Sequence, residues 1–156
     1  MIATAVDQTK CSAVSNASPT VLTPELVYSF VEEAYKASDR FCSDKPFIVG
    51  ISGAGAVGKS TLATNLARET GGTVIDLDDY LLTRDERRII GCKTGYNPAA
   101  NKIDLAGNHL RLLRERKSVV RPTYDHTTGQ NGPEVTTEPS KIIIVEGVTA
   151  LFDAIA

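Results

Sequence analysis

Cysteine is scarce in this sequence: Cys11, Cys42 and Cys92 are odd in number, and no two of them form a C-x-x-C pair. That argues against a disulfide framework or a cysteine zinc site and fits a reducing compartment. Long apolar runs are also missing, and residues 1–23 have neither a basic n-region nor a continuous apolar h-region, so no membrane span and no signal peptide are expected. Charge of one sign is not in excess: 17 Lys and Arg against 19 Asp and Glu leave a net charge of −2, with no acidic tail. A global basic surface for nucleic acid is thereby excluded, and any anion site must be local. No internal repeat stands out. The expectation is a soluble cytoplasmic protein that binds neither nucleic acid nor membrane. With 156 residues, 42% of them hydrophobic, the chain is long enough for one domain with a real core.

What the sequence does have is Gly53-Ala54-Gly55-Ala56-Val57-Gly58-Lys59-Ser60-Thr61, which meets every position of the phosphate-binding pattern G-x-x-x-x-G-K-[ST]. A chance match anywhere in the chain has odds of roughly one in two hundred. Its context also fits: Pro46 to Ile51 reads as a short apolar strand, and Ser60 to Glu69 reads as a helix with Leu62, Ala63, Leu66 and Ala67 on one side. Strand, glycine loop and helix are the order in which backbone N–H groups and a helix N-terminus can be aimed at phosphates. Gly53 to Thr61 are therefore the expected nucleotide-binding residues, with Lys59 on the outer phosphates and Ser60 on Mg²⁺.

Taken in order, residues 1–22 show no sustained periodicity and read as a flexible arm, followed by one domain over 23–156. Thr23-Pro24-Glu25 starts a helix to about Ser38 with Leu26, Phe30, Val31, Ala34 and Tyr35 as its apolar stripe. Gly71-Gly72 ends the loop helix, and Thr73 to Leu77 is a second strand leading to Asp78-Asp79-Tyr80. Acids at the carboxyl end of such a strand face the crevice where open α/β sheets bind ligands. Because side chains alternate along a strand, one of Asp78 and Asp79 is expected over the loop and the other away from it. Thr83-Arg84-Asp85-Glu86 reads as a capping box, Gly91 to Lys102 as a loop, and Asp104 as the cap of a helix from Leu105 to about Lys117 with Leu105, Leu112 and Leu113 apolar. Glu134 to Thr137 can form a β segment. Lys141 to Gly147 is a buried strand ending in Glu146, an acid placed to hold Mg²⁺ together with Ser60.

Four signals now stand in one order: G-A-G-A-V-G-K-S-T at 53–61, D-L-D-D-Y at 76–80, R-P-T-Y-D-H at 121–126 and I-I-I-V-E-G-V at 142–148. Together they resemble the phosphoribulokinase/uridine kinase family of P-loop kinases. The resemblance implies an α/β fold with a parallel sheet flanked by helices, and transfer of the γ-phosphoryl group of ATP, with Mg²⁺, to a hydroxyl of a small molecule such as a nucleoside or sugar. It makes Asp78 the base for that hydroxyl and Lys59 its catalytic partner. Tyr80, Tyr96, Tyr124 and His126, with Asp78, fall on the acceptor side. The sequence departs from the nucleoside kinases at two places: Gly129 stands where they carry a histidine five residues after the tyrosine, and Tyr96 precedes Asn97-Pro98 where they carry an acid before His-Pro. Family members also continue past the E-G-V strand into further strands and an arginine-bearing lid, so the resemblance implies a domain truncated at its C-terminus. Its open sheet edge would call for a partner such as a second copy in a homo-oligomer. Two other readings stay open, a nucleotide-binding module without turnover and a P-loop hydrolase, although no N-K-x-D motif supports the latter.

Overall fold

The fold was read from a computed structural model that describes residues 2–6, 23–38 and 44–150. In chain order the strands and helices are β1 (Ile2–Val6), α1 (Pro24–Ala37), β2 (Phe47–Ser52), α2 (Lys59–Thr70), β3 (Thr73–Asp76), α3 (Arg84–Ile89) and α4 (Ile103–Arg114), then β4 (Val119–Arg121), β5 (Tyr124–Asp125), β6 (Gln130–Asn131), β7 (Val135–Thr137) and β8 (Ile142–Glu146). The main sheet has the order β1-β2-β8-β3. β8 pairs in parallel with β2 and with β3, while β1 adds to the outer edge of β2 antiparallel, from Ile2 opposite Ser52 to Val6 opposite Ile48. The expected flexible arm over 1–22 is thus a strand at residues 2–6: the backbone donors and acceptors along the free edge of β2 need partners, and the five-residue Ile-Ala-Thr-Ala-Val segment supplies them. The remainder of that stretch, 7–22, lies outside the described residues.

β8 explains the core. All five of its residues are buried, and they alternate between two faces. Ile142 and Ile144 pack with Val27 and Val31 of α1 and Leu62, Ala63 and Leu66 of α2. Ile143 and Val145 pack with Ile75 and with Ala106, Leu110 and Leu113 of α4. A central parallel strand covered on both faces has to read as an uninterrupted apolar run, and Ile-Ile-Ile-Val does.

Several boundaries fall where the sequence places them. Thr23 caps α1, its side chain accepting from the Leu26 amide, with Pro24 in the first turn. Gly71, in the left-handed conformation, ends α2. Thr83 and Glu86 form the reciprocal capping box of α3. Three expectations shift. The buried stripe of α1 centres on Val27 and Val31, and Leu26 is 51% exposed. Helix α4 begins at Ile103 rather than after Asp104, because the Lys102 amide already donates to the Tyr80 carbonyl and the buried face is Ala106, His109, Leu110 and Leu113. Asp104 sits in the first turn, where its charge complements the helix dipole without capping. Finally, β3 stops at Asp76, whose carboxylate accepts from the Asp78 amide at 2.8 Å and turns the chain into a 3₁₀ turn over Leu77–Tyr80.

Candidate functional site

The loop after β2 enters α2 through Gly58, which has φ 89° and serves as N-cap without any side-chain hydrogen bond to the helix. The first-turn N–H groups of α2 are therefore not satisfied by a side chain, and the positive end of the helix faces outward. The loop meets the exposed Tyr96 side chain at Gly55, where a Cβ would lie 2.9 Å from the Tyr96 hydroxyl. Lys59 is 9% exposed and donates from Nζ to the Ala54 carbonyl at 3.1 Å, so its charge is held against the loop's own backbone. Ala54, Val57, Gly58 and Thr61 are exposed, and Gly53 is half-buried.

One cavity of about 390 Å³ joins this loop to the rest of the expected site. Gly55, Ala56, Lys59 and Ser60 line one wall and Asp78 lines it from the 3₁₀ turn. Tyr96, Tyr124 and His126 line it as well. The two neighbouring acids separate as expected, but not through strand alternation, since both stand on the turn. Asp79 is directed to the β4–β5 arm: its Oδ1 accepts from the Tyr124 amide at 3.0 Å, and its Oδ2 accepts from the Arg121 guanidinium, which also donates to Thr137 Oγ1 at 2.9 Å.

Tyr80 is a correction. A 3₁₀ turn repeats every three residues, so Leu77 and Tyr80 share one face, and that face is the core. Tyr80 is 1% exposed and its hydroxyl hydrogen-bonds His109 Nδ1 at 3.0 Å, so it cannot touch an acceptor. The burial that hides His109 pushes its pKa down, with the Arg121 charge acting in the same direction.

The sequence reading missed Arg84 and Arg87 as site residues, although both line the cavity. Arg84 donates to the carbonyls of His126 (2.7 Å), Thr127 (3.2 Å) and Thr128 (3.3 Å), which fixes the β5–β6 turn on α3. Arg87 donates to the Tyr124 hydroxyl at 2.7 Å, and the Tyr124 and His126 rings meet edge-on at 5.0 Å. The available signal was their i, i+3 spacing on a helix that directly follows the acidic turn.

Asp76 was missed too. In the sheet register it lies opposite Glu146, which is 3% exposed and also opposite Ile51 of β2. Burial pushes the Asp76 carboxyl up to about 7, with the Glu146 charge adding to the rise and the hydrogen bond from the Asp78 amide opposing it. Glu146 does not line the cavity. Among the described residues no three His, Cys, Asp or Glu side chains converge as a metal cage. Mg²⁺ does not require one, because it commonly takes one or two protein oxygens and completes its shell with phosphate and water. Of the two expected ligands Ser60 lines the cavity and Glu146 does not, and the uncapped loop and helix end suit phosphates.

Against known proteins, the sequence model of the Phosphoribulokinase / Uridine kinase family matches residues 48–155. The chain belongs to this family. It is 37% identical over 114 residues to a phosphoribulokinase of Synechocystis sp., covering 70% of this chain and 34% of that protein. It is also 37% identical over 128 residues to a uridine kinase of Serratia proteamaculans, covering 71% of this chain and 58% of that one. The chain thus spans about a third to somewhat over half of these relatives. Among solved structures, a possible uridine kinase from Bacillus stearothermophilus superposes with a TM-score of 0.64 at 26% identity, over 81% of this chain and 72% of that one. A D-glycerate 3-kinase from Cryptococcus neoformans shares the fold, with a TM-score of 0.55 at 18% identity over 81% and 52% of the two chains. Membership fits the parallel sheet flanked by helices. Among the described residues no helix is long and apolar enough to cross a membrane.

Proposed function

We propose that this family member binds ATP with Mg²⁺ on the loop over 53–61 and transfers the γ-phosphoryl group to a hydroxyl of a small molecule, a nucleoside, sugar or related metabolite. The observation that supports this reading is that Asp78 shares one cavity with Lys59, Ser60 and Gly55 on one side and with Tyr96, Tyr124 and His126 on the other. Phosphoryl transfer asks little covalent chemistry of a protein and much positioning and charge neutralisation. Lys59, freed from the Ala54 carbonyl, would neutralise the outer phosphates. Bound Mg²⁺, held by Ser60 and by Glu146, would supply further neutralisation of phosphate charge. Asp78 would orient the acceptor hydroxyl and take its proton. Tyr124 and His126 would pack on the acceptor, held in place by Arg87 and Arg84.

The test is ADP formation with Mg²⁺ and ATP against a panel of uridine, ribulose 5-phosphate, fructose and glycerate, run alongside ATP affinity by calorimetry. The reading expects turnover with one acceptor class and its loss in Asp78→Asn. ATP bound without turnover on any acceptor would make the chain a nucleotide-binding module instead, and acceptor-independent ADP release would make it a hydrolase.

A further inference from the structure

Of Tyr80, Tyr96 and Tyr124, the tyrosines expected at the site, only Tyr96 has a hydroxyl to spare. Tyr80 bonds His109 and Tyr124 accepts from Arg87, whereas Tyr96 is 57% exposed and its hydroxyl has no hydrogen-bond partner among the described residues. The loop that carries it is nevertheless firmly tied. Asn101 Nδ2 donates to the carbonyls of Gly95 at 3.0 Å and Asn97 at 2.9 Å, and Asn97 Oδ1 accepts from the Ala99 amide at 3.0 Å. The Leu82 amide donates to the Ala100 carbonyl at 2.9 Å, which fastens the loop to the segment that follows the acidic turn. A Cβ at Gly95 would lie 2.8 Å from Leu81 Cδ2, so the backbone beside Tyr96 packs directly on that segment. A tethered loop thus presents an aromatic side chain that the core does not use, and its hydroxyl rests at Gly55 within the stretch over 53–61. There it is a free O–H donor beside backbone suited to phosphates, whose charged oxygens accept such bonds strongly. Tyr96 also shares the cavity with Asp78, and the group that lies between nucleotide and acceptor during a transfer is the terminal phosphoryl.

We propose that Tyr96 reads the terminal phosphate of the bound nucleotide, its hydroxyl donating to a γ-phosphate oxygen, so that the site distinguishes a nucleoside triphosphate from the diphosphate. The inference rests on the function proposed above only in that a nucleotide binds over 53–61. The experiment is calorimetry of the unmutated chain, Tyr96→Phe and Tyr96→Ala with ADP and with the imido analogue of ATP, which is not turned over, each with Mg²⁺. Tyr96→Phe keeps the ring and removes only the hydroxyl. It should weaken the ATP analogue about tenfold, the value of one hydrogen bond to a charged oxygen, and leave ADP affinity within about twofold. Tyr96→Ala should lose the same preference for the triphosphate, and equal unfolding midpoints in the three proteins would report an intact fold. Unchanged affinity for the ATP analogue in Tyr96→Phe overturns the proposal, even where Tyr96→Ala weakens it, because the ring rather than the hydroxyl would then be the contact. Equal weakening of both nucleotides overturns it too, since Tyr96 would then support the loop without reading the terminal phosphate. Failure of the unmutated chain to bind either nucleotide is a separate outcome, which removes the function proposed above and this inference with it.

Discussion

Between Gly53 and Thr61 one wall of the cavity is a single contiguous stretch that works through backbone groups and a helix end. The facing wall is assembled from separated segments: Arg84 holds the carbonyls of residues 126–128, Arg87 holds Tyr124, and Asp79 holds Arg121 and the Tyr124 amide. Local construction makes the first wall tolerant, because a side chain can be removed there without releasing any other segment. The second wall is cooperative. Each of its bonds closes a loop of roughly forty residues, so losing one loosens the join between two distant segments.

The largest effect should come from the residue between the two walls. Asp78→Asn is expected to lower transfer to the acceptor by about 10²–10⁴, the usual contribution of a general base, and to leave ATP affinity near normal. If Asp79→Asn lowered the rate as much, the two acids would not divide between the walls as their contacts indicate. Next in size is a pH effect. The folded pKa of Asp76 lies near 7, above its ordinary 3.8, so between these values the folded state binds the extra proton. Its contribution to stability is therefore complete below about pH 4 and is lost as pH rises through 7. Denaturant unfolding at pH 5 and pH 8 should show a loss of about 1–3 kcal/mol that Asp76→Asn removes, and a flat profile in both proteins would contradict the burial of this carboxyl.

Lys59→Ala should weaken ATP binding by about tenfold to a hundredfold, the value of one charge-assisted hydrogen bond, with no change in the unfolding midpoint. Calorimetric affinity equal to that of the unmutated protein would remove Lys59 from the loop wall's function. The smallest effect sharpens the contrast most directly. A double-mutant cycle between Asp79 and Arg121, whose side chains are 17% and 16% exposed, should give a coupling of about 0.5–1.5 kcal/mol in stability, whereas Lys59 and Asp78 should be additive. Coupling of similar size in both pairs would show that the walls are not built differently.

The same difference decides what could be read from the sequence. The loop, its strand and its helix are contiguous, and their glycines and lysine have fixed spacing, so chain order alone places them. Ile142 to Glu146 is legible for a related reason: burial on both faces imposes an unbroken apolar run. Tyr80 was misplaced because the alternation of a strand was extended into a stretch that turns at Asp76, and a 3₁₀ turn sends its first and fourth residues to the same side. Arg84 and Arg87 stayed hidden because their partners lie some forty residues downstream, beyond any local periodicity. The pairing of β1 with β2 was missed since a five-residue edge strand carries little pattern of its own.

The order β1-β2-β8-β3 also constrains how the chain can be made. β2 and β3 are close in sequence, yet they never pair with each other and are joined in the sheet only through β8. During synthesis, which runs at about 5–20 residues per second from the N-terminus, they wait several seconds with apolar edges unpaired. Only β1 can join β2 early. A nascent chain released before Ile142 would contain the whole glycine loop and still lack the strand that sets the loop's distance from the acidic turn. Such chains should behave as chaperone substrates, and assembly should be slow, because β8 pairs with strands made long before it.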